Sequence, residues 1–304
     1  MALEHGIAKL VKEFIKAGKP SVRNQRIDDR RKGYVASATL AGETETRVQV
    51  NDITLEGMRF RVVSPLGVSG PLPAVIYYHG GCFVSGGFAT HDKQLRQLAY
   101  FSQCHVIAVQ YRLAPENIWP AAHDDAETGA NIIWRNASRF NIDPECITLA
   151  GDSAGGHLAL VTALRLKAEN LWLPAQLILI YPMLDATASF KSYARNGEDY
   201  IITRDTLLSG YEMYLEELSL THPEASPLWR EDFNGLPPVH VITAEYDPLC
   251  DEGKALHRYM LNQGVACTHQ HYLGVIHGFF QLAGVSRAAL EVIRDVARRI
   301  NIPK

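Results

Sequence analysis

Residues 146–158 limit the possible folds more than any other stretch of the chain. Cys146-Ile147-Thr148-Leu149-Ala150 is a strand-like run, bounded upstream by the turn signal Asp143-Pro144. Leu158, Val161, Thr162 and Leu164 then follow at the period of a helix packed on a core. Between the two runs lies Gly151-Asp152-Ser153-Ala154-Gly155, a serine with a glycine two residues to either side. A strand that passes into a helix through G-x-S-x-G makes a sharp elbow, with its serine in a strained conformation and Oγ exposed at the tip. A Cβ at either glycine would meet the neighbouring strand or helix. The serine also stands at a helix N-terminus, where free N–H groups and the helix dipole favour developing negative charge.

Around this elbow, strand and helix signals alternate. Arg47–Val50, Ile53–Leu55 and Met58–Val63 alternate as half-exposed antiparallel strands, with Glu56-Gly57 as a turn. Ala74–Tyr78, Val106–Val109, Gln176–Ile180 and Val239–Ala244 are continuous apolar runs, the pattern of strands covered on both faces. Helical patterns at 91–103, 121–139, 250–263 and 287–300 separate or follow them, and a strand is expected at 268–272 at or near a sheet edge, leaving a homodimer possible. This alternation predicts an α/β fold, a mostly parallel sheet with helices on both faces joined by right-handed crossovers. Residues 185–235 lose the rhythm. With helical pieces such as 204–218 and several tyrosines, they are expected to form a cap or lid insertion, between core segments 46–184 and 236–304.

The N-terminal stretch divides in two. Residues 3–17 carry Leu3, Ile7, Leu10, Val11, Phe14 and Ile15 at helical spacing, and packing on the protein's own body is favoured over a membrane surface because the polar face mixes both signs. Residues 18–45 read as irregular or weakly helical. Its basic cluster, Arg26 to Lys32, is interrupted by Asp28 and Asp29 and reads as a solvated face. A net charge of -3 over 304 residues argues against nucleic-acid and anionic-membrane partners. No 18-residue apolar run suggests a membrane span, and Glu4, Lys9, Lys12 and Glu13 break any signal-peptide core. Five cysteines without C-x-x-C spacing fit reduced thiols in a cytoplasmic protein.

Catalytic groups in such sheets gather beyond the C-terminal ends of the strands. Past 74–78 lies His79-Gly80-Gly81-Cys82-Phe83, whose adjacent glycines let N–H groups approach a substrate oxygen, and which lacks the Gly-Lys-Ser/Thr ending of a phosphate loop. Past 239–244 comes Asp247, held off a helix by Pro248, and past 268–272 comes His277. A serine hydroxyl needs an adjacent base, histidine titrates near enough to neutrality to serve, and a buried aspartate fixes its tautomer. Asp251 and Asp185 are rival acids, less favoured by position. Arg112, Glu116 and Asp124 are expected to form a structural polar network. His269 and His271 share a strand face without a third ligand beside them, and surface histidines are favoured over a metal site.

With the order Ser153, Asp247, His277 in place, the chain resembles the hormone-sensitive-lipase-like family of α/β hydrolases, the bacterial short-chain esterases. The matching motifs are His79-Gly80-Gly81-Cys82-Phe83, Tyr111-Arg112-Leu113-Ala114-Pro115-Glu116, Gly151-Asp152-Ser153-Ala154-Gly155-Gly156, Asp247-Pro248-Leu249 with Asp251-Glu252-Gly253, and His277-Gly278-Phe279. The resemblance implies an α/β-hydrolase fold with a helical cap built from residues 1–45 and 185–235. It further implies an oxyanion hole from the N–H groups of Gly80, Gly81 and Ala154, a small acyl-ester substrate, and no metal or organic cofactor. Three positions depart from the family pattern: Cys82 stands for the third glycine of the oxyanion loop, His157 for asparagine and Cys250 for arginine. The reading is a serine carboxylesterase acting on short- to medium-chain esters. An amidase or deacetylase on the same triad, and a non-catalytic small-molecule receptor on the same fold, are the alternatives.

Overall fold

A computed structural model describes residues 2–300. Eight strands and nine α-helices alternate along it: α1 (His5–Lys16), α2 (Ile27–Ser37), β1 (Val48–Leu55), β2 (Met58–Pro65), β3 (Leu72–Tyr78), α3 (Phe88–Ser102), β4 (His105–Val109) and α4 (Ala121–Arg135) come first. β5 (Ile142–Asp152), α5 (Ala154–Ala168), β6 (Gln176–Ile180), α6 (Lys191–Asn196), α7 (Arg204–Leu215), β7 (Val239–Tyr246), α8 (Cys250–Asn262), β8 (Cys267–Ile276) and α9 (Arg287–Ile300) complete it. The strands form one sheet in the order β1-β2-β4-β3-β5-β6-β7-β8. β1 pairs β2 and β2 pairs β4 antiparallel, and every later pairing is parallel.

The continuous apolar runs are central because both of their faces are covered. Along β3, Ala74, Ile76 and Tyr78 enter one core with α4, α5 and α8, while Val75 and Tyr77 enter the other with α1, α3 and α9. β1, by contrast, keeps alternate residues exposed at the far edge, and β8 forms the opposite edge, as its position in the sequence suggested.

α1 lies on the body rather than facing outward, with Ile7 and Val11 buried. Glu4 accepts hydrogen bonds from Ser286 Oγ (2.6 Å) and from the Ala288 amide (3.2 Å) in the first turn of α9, where the helix dipole favours a carboxylate. Gly6 is needed there because a Cβ would fall 1.9 Å from the Val285 carbonyl oxygen.

Several sequence expectations change on folding. Residues 27–37 make a regular helix, α2, although no apolar stripe announces it; Asp28 and Asp29 in its first turn suit the dipole. The Arg26–Lys32 cluster is not a uniformly solvated face, since Arg30 is buried and Arg31 reaches the carbonyls of Val84 and Ala114. The residues 143–144 lie within β5 rather than before it. Arg112, Glu116 and Asp124 belong to three separate ion pairs, with Asp125 (2.8 Å), Arg31 (2.6 Å) and Arg165 (2.8 Å), because the first turns of α4 present Asp124 and Asp125 in different directions. His269 and His271 are half-buried rather than on the surface, both against Thr243 Oγ1 at 2.8 and 2.9 Å. No group of three metal-ligating side chains occurs among the described residues. The cysteines form no disulfide there, and all but Cys146 are buried.

Candidate active site

The elbow has the geometry its glycines require. Ser153 takes φ 56° and ψ −118°, between the last residue of β5 and the first of α5. A Cβ on Gly155 would come 1.9 Å from the Tyr78 carbonyl oxygen, and one on Gly151 would come 2.3 Å from the backbone of Gly155. Only glycine lets β3, β5 and α5 approach so closely. The Ser153 amide donates to the Ile180 carbonyl at 2.8 Å, which ties the strained turn to the end of β6.

Strand register delivers the acid and the base. β7 and β8 each extend beyond the expected ends, to Tyr246 and Ile276, and these two residues are paired across the ladder. The next residue on each strand is therefore Asp247 or His277, side by side at the C-terminal edge of the sheet. His277 Nδ1 lies 2.9 Å from Asp247 Oδ2, and His277 Nε2 lies 3.0 Å from Ser153 Oγ. Asp247 is fully buried, and its Oδ1 accepts from the Leu249 amide at 2.7 Å, so the carboxylate is fixed from both sides. Asn196 Nδ2, at the end of α6, donates to the Asp247 carbonyl at 3.0 Å and holds the loop itself.

Neither rival acid reaches His277. Asp251 pairs with Arg195 at 3.2 Å. Asp185 accepts from Thr187 Oγ1 (2.6 Å), Ser189 Oγ (2.5 Å) and Trp229 Nε1 (3.2 Å). Burial pushes its carboxyl up, but these donors outweigh it and hold the pKa below the usual aspartate value.

The loop 79–87 corrects one expectation. The Gly80 N–H is already spent, donated at 2.9 Å to Asp152 Oδ1, so it is turned away from any substrate oxygen. The N–H groups of Gly81, Cys82 and Ala154 have no protein acceptor among the described residues. Cys82 and Phe83 both take positive φ, 54° and 64°, so the loop keeps a glycine-like path where the family's third glycine is replaced. Gly81 remains obligatory: a Cβ would lie 2.1 Å from the Ser85 carbonyl oxygen.

Asp152, the variable position inside G-x-S-x-G, was not singled out in the sequence. It is 2% exposed, and Oδ1 takes Tyr77 Oη at 2.9 Å and His91 Nε2 at 3.0 Å besides the Gly80 amide. Burial pushes its carboxyl up, yet His91 and these donors together hold it below the usual carboxylate range. From His91 the network continues to the Gln281 side chain and on to Tyr34 Oη in α2, 2.7 Å from Gln281 Nε2. His79 stacks on Tyr111 at 4.2 Å, and burial brings its pKa down to about 3, leaving a neutral support for the loop. At the departure position, His157 lies 2.8 Å from the Met183 carbonyl and 2.9 Å from that of Glu224.

Ser153 and His277 open onto a cavity of about 260 Å³, walled by Gly81, Cys82 and Ser85 below, and by Val22, Arg30, Tyr34, Ile202 and Thr206 above. The upper wall comes from two distant segments that are joined directly. Arg23 bonds Asp205 (2.5 Å) and Glu212 (2.5 Å) of α7, and Arg30 bonds Ser209 Oγ (3.1 Å).

Serine, imidazole and carboxylate in a hydrogen-bonded line beside unpaired N–H groups are the means of acyl transfer. The chain belongs to the α/β-hydrolase fold family, whose model matches residues 75–281. Carboxylesterase NlhH of Mycobacterium tuberculosis is 34% identical over 256 residues, covering 81% of this chain and 80% of that protein. An arylesterase of Saccharolobus solfataricus is 34% identical over 264 residues, 85% and 84% of the two chains. The crystal structure of a hyperthermophilic esterase from Pyrobaculum calidifontis superposes with a TM-score of 0.91 at 35% identity, covering 99% of this chain and 98% of that one. Within the family the chain falls among the hormone-sensitive-lipase-like esterases, and it is a carboxylic ester hydrolase.

Proposed function

We propose that the protein hydrolyses short- to medium-chain carboxylic esters through an acyl-enzyme on Ser153. The observation that carries this is the unbroken line Ser153–His277–Asp247 at the floor of a small cavity. Ser153 Oγ attacks the ester carbonyl carbon while its proton passes to His277 Nε2. Charge developing on the carbonyl oxygen is met by the N–H groups of Gly81, Cys82 and Ala154, which water or substrate must otherwise satisfy. His277 returns the proton to the departing alkoxide, and the acyl group remains on Ser153. Water, deprotonated by His277, then attacks the acyl carbon, releasing the carboxylic acid and restoring the serine. Asp247 keeps Nδ1 protonated, so that Nε2 faces Ser153 with its lone pair, and stabilises the imidazolium.

Residues 1–45 and 185–235 act together as the cap over the core of 46–184 and 236–304, a division supported by the Arg23 and Arg30 contacts to α7. The small cavity they enclose favours acetyl to hexanoyl esters over long-chain lipids. The test is a panel of p-nitrophenyl esters of rising acyl length beside arylamides, with Ser153→Ala as control and a fluorophosphonate probe. Wild type should cleave the short esters and take the label on Ser153, and the variant should lose ~10⁶ in kcat. Labelling at another serine, or faster turnover of arylamides or emulsified long-chain lipid, would overturn the reading.

A further inference from the structure

Arg30 is the one cation among the residues lining the cavity, and it is 9% exposed. It sits on α2, held against α7. Among the described residues it is in no ion pair: its partners are Ser209 Oγ at 3.1 Å and the Thr206 carbonyl at 3.4 Å, both neutral. Asp205 on α7 feels the Arg30 charge but forms no ion pair with it, being engaged by Ser21 and Arg23. Asp152, the other carboxylate at the cavity, spends Oδ1 on Tyr77, Gly80 and His91. The Cys82 thiol beside the guanidinium is a neutral neighbour, because burial pushes it up and Arg30 offsets only part of that.

A guanidinium carries five N–H donors, and the two contacts to α7 with a third to the Cys82 sulfur leave two without a protein acceptor. A charge this buried is normally paired, because removal from water penalises it unless an opposite charge offsets the loss. Structural packing alone does not account for it: an apolar or amide side chain would join α2 to α7 without importing a charge that has no ion-pair partner. A neutral acyl chain cannot supply the missing acceptor, whereas a carboxylate can, through two parallel N–H···O bonds.

We infer that Arg30 is a specificity-determining residue that pairs with a carboxylate on the substrate, remote from the scissile bond, so that half-esters of small dicarboxylic acids or esters of small hydroxy acids are preferred. This rests on the ester-hydrolase reading of the same site. Arg30 touches the far end of the substrate and takes no part in proton transfer.

The test compares monoethyl succinate, glutarate and adipate, each against its carboxamide isostere, and the butyrate esters of glycolate and 3-hydroxypropanoate against their amides. Ethanol or butyrate release is followed at pH 7.5, where the probe carboxylates are ionised. The first series places the charge on the acyl side, the second on the alcohol side. For at least one pair, Arg30→Met and Arg30→Gln should lower the charged-to-neutral ratio of kcat/KM by ~10- to 100-fold, mainly through KM, as for loss of a charge-assisted hydrogen bond. Arg30→Lys should restore part of it. Because the ratio is taken on one enzyme, a variant that folds poorly loses both rates and leaves the ratio readable. Should the Met variant be insoluble, Lys against wild type still reads the loss of the bidentate fork, with a several-fold fall expected. Ratios that do not change across both series would overturn the role of Arg30 alone. Absence of ethyl butyrate hydrolysis by wild type would instead overturn the function beneath it.

Discussion

Removing Asp152 tests whether a residue outside the line Ser153–His277–Asp247 sets the rate. In Asp152→Ala, three donors lose their acceptor at once: Tyr77 Oη at 2.9 Å, the Gly80 amide at 2.9 Å and His91 Nε2 at 3.0 Å. Leaving a buried donor unsatisfied costs about 1–3 kcal/mol. Asp152 borders the cavity, so water can enter the vacated space and rehydrate part of the cluster, which places the sum near the low end, about 3 kcal/mol. For 304 residues each kcal/mol shifts Tm by roughly 1.6 °C, giving a fall of about 5 °C. The kinetic effect follows from geometry. Gly80 is the anchored residue next to the Gly81 and Cys82 amides, and losing its anchor moves those donors off the oxyanion. Loss of one such donor costs ~10²–10³ in kcat, so displacement of two should cost about 10², with KM changed little. Thermal melts by circular dichroism and saturation kinetics on a butyrate ester read the two effects separately. Asp152→Asn, which keeps an oxygen for the Gly80 amide, should recover most of the rate. A melt lowered as expected with wild-type kcat would show that the oxyanion loop is positioned without Asp152, and the reasoning would fail.

Asp247→Asn should lower kcat by about 10⁴ because the amide favours the wrong imidazole tautomer. Asp251→Asn and Asp185→Asn should cost roughly fivefold or less; collapse in Asp251→Asn with an active Asp247→Asn would reassign the acid. Stability should fall steeply below about pH 6. Burial holds His79 at about 3, His157 at about 4, His240 at about 3 and His123 well below its usual value, so each stays neutral when folded. The unfolded chain binds those protons below about 6.5, which makes unfolding more favourable as pH drops toward 4. Glu252 runs the other way, since burial pushes its carboxyl up and the folded state keeps its proton. Four histidines less Glu252 leave a net of three protons, about 4 kcal/mol per pH unit, with His269, brought down to about 4 by burial, acting in the same direction, and an unchanged Tm between pH 7.5 and 4.5 would refute it.

The central strands and the elbow were legible because burial on both faces writes continuous apolar runs, and because glycine spacing reports backbone approach. Strand ends were not. β8 was expected to stop at Tyr272, since its half-exposed face reads as polar and Gly274 resembles a turn, yet pairing with β7 carries it to Ile276. Asp247 and His277 still meet beside Ser153, because both strands were shortened at the same end. α2 reads as no more than weakly helical for a different reason: what it buries is Arg30, and a periodicity of apolar residues cannot report a buried cation. The Gly80 amide was misassigned because its acceptor, Asp152, lies 72 positions away and belongs to a variable site of the motif. Likewise the choice between Asp124 and Asp125 as the partner of Arg112 depends on helix phase, which composition does not carry.

The roof of the cavity also sets an order of assembly. Its first wall is made early in synthesis, but the bonds that seat it reach forward to residues made late: 182 positions from Arg23 to Asp205, and 282 from Glu4 to Ser286. Contacts of such separation carry a large loop-closure cost. Strands β3 to β6, with the elbow among them, need nothing from residues 1–45 to pair. Residues 2–45 are therefore expected to close over the site after β3 to β6 have paired. Because Val22, Arg30 and Tyr34 wall the cavity without belonging to the line Ser153–His277–Asp247, changes there should alter which esters are accepted before they alter whether any ester is cleaved.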